Sequence, residues 1–306
     1  MYVCSKCGRP HSAEEFSQSR FCRNCGKFLS FEDKQALNEV SRKNKAASRI
    51  NGNEDTIERT YRLIQQNLSS DTLIDSSKAV KQVEEYRQFW KPEKTDVILL
   101  AESHVYTDEK DYAIKMNRSI LHRIVPNYPL HFVRFVYCLG YGENELLNRV
   151  RTDRRNVGTP QYWKIFSSCV AENENNLGFR NILKTTTQSF SRRIRNKVHV
   201  LKKMKTAGIW LLDASIVGLY GSGTKDPDTM ETIIELCWRN SIADMISEAN
   251  PKHVIVIGKG VGNILNSRIR RLGFPQTVIS QPQARGSSEW QLENYKKYQR
   301  ICARYS

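Results

Sequence analysis

The sequence predicts an α/β fold, a three-layer α/β/α domain built on a central four-stranded parallel sheet. Four short and largely apolar runs have the length and composition of buried strands. They are residues 97–100, 209–213, 253–257 and 277–280. Stretches with helical periodicity lie between them, and strands that alternate with helices pair in parallel through right-handed crossovers. We therefore expect the carboxyl ends of all four strands to meet at one edge of the sheet, where open α/β sheets bind ligands.

The composition favours a nucleic-acid partner. The chain has 306 residues with 48 Lys and Arg against 32 Asp and Glu, which gives a net charge of +16. Because much of this charge is clustered, a polyanion is the expected partner, and DNA is the first candidate. The mean hydropathy is −0.57, no apolar run approaches the roughly 18 residues of a membrane span, and the first residues lack a secretory signal. We therefore expect no membrane partner and a cytoplasmic, nucleoid-associated protein.

The first 30 residues predict a zinc ribbon. Two Cys-x-x-Cys pairs, each followed by glycine, lie 14 residues apart. The four cysteines are Cys4, Cys7, Cys22 and Cys25. Their thiolates can surround a structural Zn²⁺ tetrahedrally, which would stabilise a segment too small for a core of its own. The module resembles the zinc ribbons of many nucleic-acid-binding and partner-binding proteins, so it also allows a protein partner. We expect no other metal and no catalytic cofactor.

Residues 31–92 are interpreted as a basic and helical linker, and residues 93–306 as the α/β domain. Up to about residue 55 the linker is polar and basic, and apolar residues then recur at helical spacing in two segments. Within the α/β domain, residues 131–139 alternate in part and predict a strand or an extended segment. Residues 190–206 predict a basic helix, whose charges would hold phosphates.

Polar side chains stand where the predicted strands end. Glu102, Ser103 and His104 follow the first strand, and Asp213 ends the second. Gln281 follows the fourth strand. A carboxylate and an imidazole two residues apart, just past a buried strand, lie where chemistry is expected in an α/β sheet.

Several cations are candidates for contacts with the DNA backbone. They lie in an arginine cluster after residue 148, in the Gly-rich turn after the third strand and in the loop after the fourth. The candidates are Arg151, Arg154, Arg155, Lys259 and Arg285. An aromatic side chain past the first strand, Tyr106, is a candidate for stacking on a base.

The order and spacing of these segments resemble the uracil-DNA glycosylase superfamily over about residues 95–290. Residues 235–265 are the most similar part, with a Cys-containing helix, a Pro-Lys approach to the third strand and a Gly-rich turn after it. Residues 101–104 fall on the family's first motif, Gly-Glu-Ala-Pro, and Gln281-Pro282 falls on the His-Pro of its second motif. The chain departs from the family at the Gly, the Pro and the His of these motifs, with Ala, His and Gln in their place.

The resemblance implies a DNA glycosylase that flips a base out of the helix and hydrolyses its N-glycosidic bond, as in DNA repair. Glu102 falls where one branch of the family keeps the acid that positions the attacking water. In the family, the His of the second motif donates to the departing base. This chain has Gln281 there, so His104 would supply the donor instead. The residues that would contact the base are Ser103, Tyr106, Asp213 and Gln281.

Asp213 falls where several branches of the family keep an Asn that reads the flipped base. An ionised Asp only accepts hydrogen bonds, so it disfavours the O4 of uracil and favours the exocyclic amine of a cytosine-type base. The expected target is a modified cytosine or another amino-bearing base. Some relatives in microbial antiviral defence are thought to excise modified bases from phage DNA, which agrees with this expectation.

Two other functions remain open at this point. The replaced motif residues favour a non-catalytic nucleic-acid-binding protein on the same fold. Alternatively, Glu102, His104 and Asp213 would surround a divalent metal in a nuclease or another hydrolase. A strict requirement for Mg²⁺ or Mn²⁺ would distinguish the nuclease, because a glycosylase needs no metal for its chemistry.

Overall fold

The computed structural model describes residues 2–3, 10–11, 55–69, 72–221, 226–281 and 286–306. The chain divides after Asp55 into two compact units. The first unit contains a short antiparallel pair of strands, β1 (Tyr2–Val3) and β2 (Pro10–His11). The four cysteines of the predicted zinc ribbon lie outside the described residues.

The second unit contains a four-stranded sheet. Its strands are β3 (Val97–Ala101), β4 (Ile209–Asp213), β5 (His253–Ile257) and β6 (Gln276–Ile279). All neighbouring strands are parallel and their order is β4-β3-β5-β6, so the predicted α/β class and four-stranded parallel sheet are confirmed. The chain leaves β3 toward β4 and leaves β5 toward β6, which makes the gap between the ends of β3 and β5 the topological switch point of the sheet.

Every residue of β3, β4 and β5 is buried. A strand with one solvent face would alternate between buried and exposed residues, so these strands are covered on both faces. In the sheet register Ala101 lies opposite Asp213, and Leu100 lies opposite Val256. The residues that follow these three strands therefore emerge side by side at one edge.

The helices of the second unit are numbered here in chain order. The first four are α1 (Thr56–Asn67), α2 (Ser77–Phe89), α3 (Glu109–Tyr112) and α4 (Arg118–Ile124). They are followed by α5 (Pro160–Cys169), α6 (Phe190–Thr206), α7 (Pro227–Cys237), α8 (Ala243–Ala249), α9 (Lys259–Arg271) and α10 (Ser288–Tyr305). A π-helical turn (Trp238–Ile242) joins α7 to α8, and 3₁₀ turns lie at Asn144–Leu146 and Phe179–Asn181. None of the described helices has the length and apolar content needed to cross a membrane.

Helices α1 and α2 belong to the unit that contains the sheet, because the division of the chain falls before α1. The sequence had suggested a division after α2, at residue 92. Their apolar faces are buried as the helical spacing predicts, with Tyr61 and Tyr86 among the buried residues. The Tyr61 hydroxyl donates to the Asp75 backbone oxygen at 2.7 Å, and the Tyr86 hydroxyl donates to the His131 backbone oxygen at 2.8 Å. The segment before β3 is therefore part of the folded domain.

Residues 131–139 form a series of tight turns, with a single strand-like bridge at His131. Backbone hydrogen bonds link the Cys138 amide to the Phe135 oxygen and the Tyr141 amide to the Cys138 oxygen, both at 2.9 Å. All side chains from residue 132 to residue 139 are buried. The prediction of a strand or extended segment was wrong here, because turns that are buried on all sides have the same apolar composition as a buried strand.

Candidate functional site

Three side chains from different parts of the sheet form a hydrogen-bonded group at its carboxyl edge. Glu102 follows β3, Tyr220 lies in the loop after β4, and Gln281 lies two residues beyond β6. The Gln281 Nε2 atom donates to Glu102 Oε2 at 3.1 Å and lies 3.1 Å from the Tyr220 hydroxyl oxygen. The structure thus brings two of the predicted site residues together and adds Tyr220, which the sequence did not single out.

A cavity of about 200 Å³ lies beside this group. The lining residues that the sequence predicted are Ser103, His104, Asp213 and Gln281. Much of the remaining wall comes from the segment between residues 134 and 162, and it includes Arg134, Phe135, Tyr141, Thr159 and Tyr162. Tyr220 also lines the cavity, whereas Tyr106 does not. The volume suits a single pyrimidine ring with its substituents.

Glu102 is a buried carboxylate with one oxygen unused. The residue is 8% exposed, and its Oε1 atom has no hydrogen-bond partner among the described residues. Burial raises the pKa of Glu102 above its ordinary value, and hydrogen bonds from Tyr220 and Gln281 partly offset this rise. A carboxylate with a raised pKa is a stronger proton acceptor, which suits a general base.

His104 is buried between two carboxylates. Its Nε2 atom lies 3.3 Å from Asp75 Oδ2, and its Nδ1 atom lies 3.6 Å from Asp213 Oδ2. Burial disfavours the imidazolium, but the Asp75 and Asp213 carboxylates outweigh this effect and raise the pKa of His104 to about 9. The ring is therefore protonated at neutral pH, with each nitrogen facing a carboxylate.

Asp213 is held by an arginine from α2. Arg87 Nη2 donates to Asp213 Oδ2 at 2.9 Å, and both side chains are 2% exposed. Arg87 also pairs with Glu84, and its guanidinium lies 5.3 Å from the centre of the Phe135 ring. Asp213 therefore lines the cavity as a carboxylate whose Oδ2 atom is already occupied, which leaves Oδ1 for a ligand.

Asp75 and Arg87 are site residues that the sequence interpretation placed in a linker. Arg87 follows Val80 and Val83 at helical spacing, so it lies on the apolar face of α2. A charged residue on such a face was the signal in the sequence that pointed to a buried partner. Asp75 gave no comparable signal, because it lies in the loop between α1 and α2, where polar residues are common.

The loops that follow β3 and β4 are tied together. The Ser103 hydroxyl donates to the His104 backbone oxygen at 2.9 Å and accepts from the Leu219 amide at 3.0 Å. The Tyr106 amide donates to the Tyr220 backbone oxygen at 2.8 Å. Gly218 permits this contact, since a side-chain carbon there would lie 2.5 Å from the Tyr106 nitrogen. In this structure Ser103 and Tyr106 therefore hold the two loops against each other.

The predicted DNA-binding cations differ in how much of their charge is exposed. Arg151 and Arg154 both form an ion pair with Asp108. Their Nη1 atoms lie 2.7 and 3.2 Å from Asp108 Oδ2, respectively. Arg155 and Lys259 are exposed, and Lys259 is the first residue of α9, close to the carboxyl end of β5. Arg285 lies outside the described residues.

Only some of the cationic side chains of the basic helix α6 are exposed to solvent. Arg193 and Lys197 are buried and both contact Glu143, with distances of 2.6 Å from Arg193 Nη2 and 2.6 Å from Lys197 Nζ to the carboxylate oxygens. Glu143 is itself fully buried. The exposed cations of the helix are Arg192, Arg195, Lys202, Lys203 and Lys205. The face that can meet phosphates is therefore narrower than the sequence indicated.

The part of the chain that the structure describes contains no group of three or more His, Cys, Asp or Glu side chains placed to hold a metal ion. Glu102 contacts Gln281, whereas His104 lies between Asp75 and Asp213. Glu102, His104 and Asp213 therefore do not form one ligand set. The predicted zinc ligands lie outside the described ranges.

The stability of the protein is expected to fall as the pH rises through the range in which His104 titrates. Its pKa is about 9 in the folded protein and about 6.5 in an unfolded chain, so folding favours the protonated ring. This contribution to the free energy of unfolding is roughly 3 kcal/mol; it is complete below about pH 6.5 and is lost by about pH 9. Urea unfolding between pH 6 and pH 9 measures it, and an equally steep decline in His104→Gln would contradict the assignment.

The chain matches no protein-family model, no curated protein and no solved structure. No established activity can therefore be carried over to it from a relative. Its function has to follow from the chemistry of the residues at the strand ends.

Proposed function

We propose that this chain is a DNA glycosylase that flips out a modified or damaged base and hydrolyses its N-glycosidic bond, leaving an abasic site. The observation that carries the proposal is Glu102, a buried carboxylate with one free oxygen that is hydrogen-bonded to Gln281, a residue of a cavity that suits one base. Ligands of open parallel sheets bind at the carboxyl ends of the strands, next to the topological switch point. Glu102 follows β3, one of the two strands that flank this point.

We further propose that the chain is a divergent member of the uracil-DNA glycosylase superfamily, with helical layers on both sides of the sheet. The four-stranded parallel sheet supports this proposal. So does the location of the two motif-like segments, after β3 and after β6, because they carry Glu102 and Gln281, which contact each other.

The reaction needs a group that stabilises positive charge on the sugar and accepts a proton from water. As the bond between C1′ and the base nitrogen breaks, its electron pair leaves with the base and the sugar gains oxocarbenium character. The oxygen of a water molecule bonds to C1′, and a proton of this water passes to Glu102. Glu102 suits both tasks, because a fixed carboxylate in a water-poor site stabilises the cation strongly and its raised pKa favours proton uptake.

His104 acts through Asp213 in this proposal. The sequence suggested that its ring would donate to the departing base, but each ring nitrogen faces a carboxylate. Together with Arg87, its positive charge keeps Asp213 in one orientation. His104 is therefore assigned a positioning role.

An amino-bearing base is the proposed substrate class. Asp213 lines the cavity, and its Oδ2 atom is occupied by Arg87. The Oδ1 atom is therefore the one that a base would meet. A carboxylate oxygen accepts hydrogen bonds and does not donate them, which suits the exocyclic amine of a modified cytosine and disfavours the O4 of uracil.

DNA is the proposed partner, held through exposed cations. Arg155, Lys259 and the outer face of α6 carry such charges, and phosphate contacts of this kind fix the position of a protein on DNA. The net charge of +16 adds a long-range attraction. Because Arg193 and Lys197 are paired with Glu143, they are left out of this surface.

The four cysteines of the first unit are proposed to hold one structural Zn²⁺, in a module that binds DNA or a protein partner. Their spacing supports this proposal. We expect Cys22→Ser to reduce the zinc content of the purified protein from one ion per chain to nearly none, because a set of three thiolates binds zinc less tightly. Elemental analysis measures the content, with Cys302→Ala, at a buried free cysteine, as the control. A full zinc content in Cys22→Ser would contradict the ligand set.

Base release by the purified protein tests the proposed function. The substrates are single-stranded and duplex DNAs that carry uracil, cytosine, or methylated, hydroxymethylated or glucosylated cytosine, in buffer with EDTA. We expect abasic sites from one of the cytosine derivatives. Strand cleavage that appears only with Mg²⁺ or Mn²⁺ would identify a nuclease instead. Tight DNA binding with no product from any substrate would identify a binding protein.

A further inference from the structure

Tyr220 belongs to the site, although neither the motifs nor the chemistry above assigns it a task. Its backbone is fixed by the loop after β3, since the Tyr106 amide donates to the Tyr220 oxygen at 2.8 Å and Val105 forms a parallel bridge with Tyr220. Gly218 lies in close contact with the same Val105 and Tyr106 backbone. The backbone position of Tyr220 is therefore set jointly by the ends of β3 and β4.

The Tyr220 hydroxyl acts on Glu102. Its oxygen lies 3.1 Å from Gln281 Nε2, which itself lies 3.1 Å from Glu102 Oε2, so the Gln281 amide bridges the two side chains, and the nearby hydroxyl also lowers the pKa of Glu102. Gln281 therefore acts on Oε2, with Tyr220 behind it, while Oε1 has no partner in the described part of the chain. Tyr220 is 42% exposed, and both Tyr220 and Gln281 line the cavity in which a base would bind.

We propose that Tyr220 is a positioning residue which, together with Gln281, holds Glu102 Oε2 so that Oε1 is the oxygen that receives the proton of the attacking water. This inference rests on the proposed glycosylase function. In the step, the water oxygen bonds to C1′, the bond from C1′ to the base nitrogen breaks with its electron pair going to the base, and the water proton moves to Oε1. Tyr220 keeps its own proton throughout.

The groups that face Glu102 come from three elements. Tyr220 comes from the loop after β4, and Gln281 follows β6. Tyr162 lies on α5, and its pKa is raised by burial and by neighbouring charges that include Glu102. The pKa of Tyr220 is raised to about 12, mainly by burial, so this hydroxyl is a donor at neutral pH. Its hydrogen bond lowers the pKa of Glu102. Removing the hydroxyl should therefore raise the pKa of Glu102.

Titration of the Glu102 carboxyl by ¹³C NMR in Tyr220→Phe tests this inference without DNA. Glu102→Gln identifies the resonance. We expect the midpoint to rise by about one pH unit in Tyr220→Phe, since a hydrogen bond to a charged group is lost. Tyr305→Phe is the control, because this tyrosine lies on α10 and stacks on His253. Gln281→Met removes the other donor and should shift the midpoint in the same direction. An unchanged midpoint in folded Tyr220→Phe would overturn the proposal, whatever the result with Gln281→Met.

The pH dependence of base release gives a second readout. In Tyr220→Phe we expect kcat to fall up to about tenfold on the acidic side of the Glu102 midpoint with KM unchanged, and to recover toward the wild-type value as the pH rises and Glu102 ionises. A merely structural role would lower kcat equally at every pH and would overturn the inference. Failure of the proposed function has a different signature: the wild-type protein would release no base from any DNA, while the NMR titration would still show whether Tyr220 acts on Glu102.

Discussion

The Glu102→Gln variant is expected to lose nearly all base release while it keeps its affinity for DNA. Glutamine has the size of glutamate, and its carbonyl oxygen can still accept from Gln281, whose amide lies 3.1 Å from Glu102 Oε2. It cannot take up a proton from water, and it does not stabilise a cationic sugar as a carboxylate does. We therefore expect the single-turnover rate to fall about 10²- to 10⁴-fold. The rate of abasic-site formation measures this loss, and fluorescence anisotropy measures DNA affinity.

The same substitution should leave the folded protein at least as stable as before at neutral pH. Burial raises the pKa of Glu102, so the ionised carboxylate opposes folding above about pH 4, and this cost is absent from glutamine. Glu231→Gln is the matched control, because Glu231 is an exposed residue of α7; it should change neither rate nor stability. Base release at the wild-type rate by Glu102→Gln would remove Glu102 from the mechanism.

The sheet could be predicted from the sequence because its strands are buried on both faces. In β3 and β5 this burial leaves uninterrupted apolar runs. Parallel pairing then requires that the strand ends meet, and this brings Glu102 and Gln281 together although they are 179 positions apart. The topology of the sheet, rather than any local preference, therefore carries this part of the site.

The rest of the cavity could not be predicted, because an irregular segment builds much of its wall. Residues 131–139 form buried turns without a period, so the sequence did not show that Arg134 or Phe135 would line the same cavity as Asp213. The partners of buried charged residues could not be predicted from the sequence either. Arg193 resembles a phosphate ligand in the sequence, and only the fold brings it to a glutamate 50 positions away.

Replacing Asp213 by Asn is expected to change which base the protein releases. Arg87 donates to Asp213 Oδ2 and has no acceptor, so an asparagine would turn its carbonyl oxygen toward Arg87. Its amide group would then take the place of Oδ1 and present N–H donors to the cavity. Release of an amino-bearing base should fall about 10- to 100-fold, and release of uracil, whose O4 accepts hydrogen bonds, should rise. The ratio of the two rates, measured in the same DNA context, tests this expectation.

Asp213→Asn should also affect stability, because Arg87 and His104 lose an ionic partner. Arg87 keeps Glu84 and His104 keeps Asp75, so we expect the free energy of unfolding to drop by roughly 1–3 kcal/mol at pH 7. With one carboxylate fewer beside it, the pKa of His104 should fall below about 9, and the decline of stability with rising pH should become shallower. The control is an Asp-to-Asn change at an exposed position of α7, Asp228.

The rate ratio and the unfolding measurement separate base recognition from a purely structural role of Asp213. If Asp213 served only to balance the charges of Arg87 and His104, the asparagine would lower stability and slow the release of both bases by the same factor. A ratio that moves toward uracil in a variant that remains folded requires contact between Asp213 and the base, since DNA binding and sugar chemistry are common to both substrates. A folded variant with an unchanged ratio would contradict the assignment of amino-bearing bases and would leave the role of Glu102 untouched.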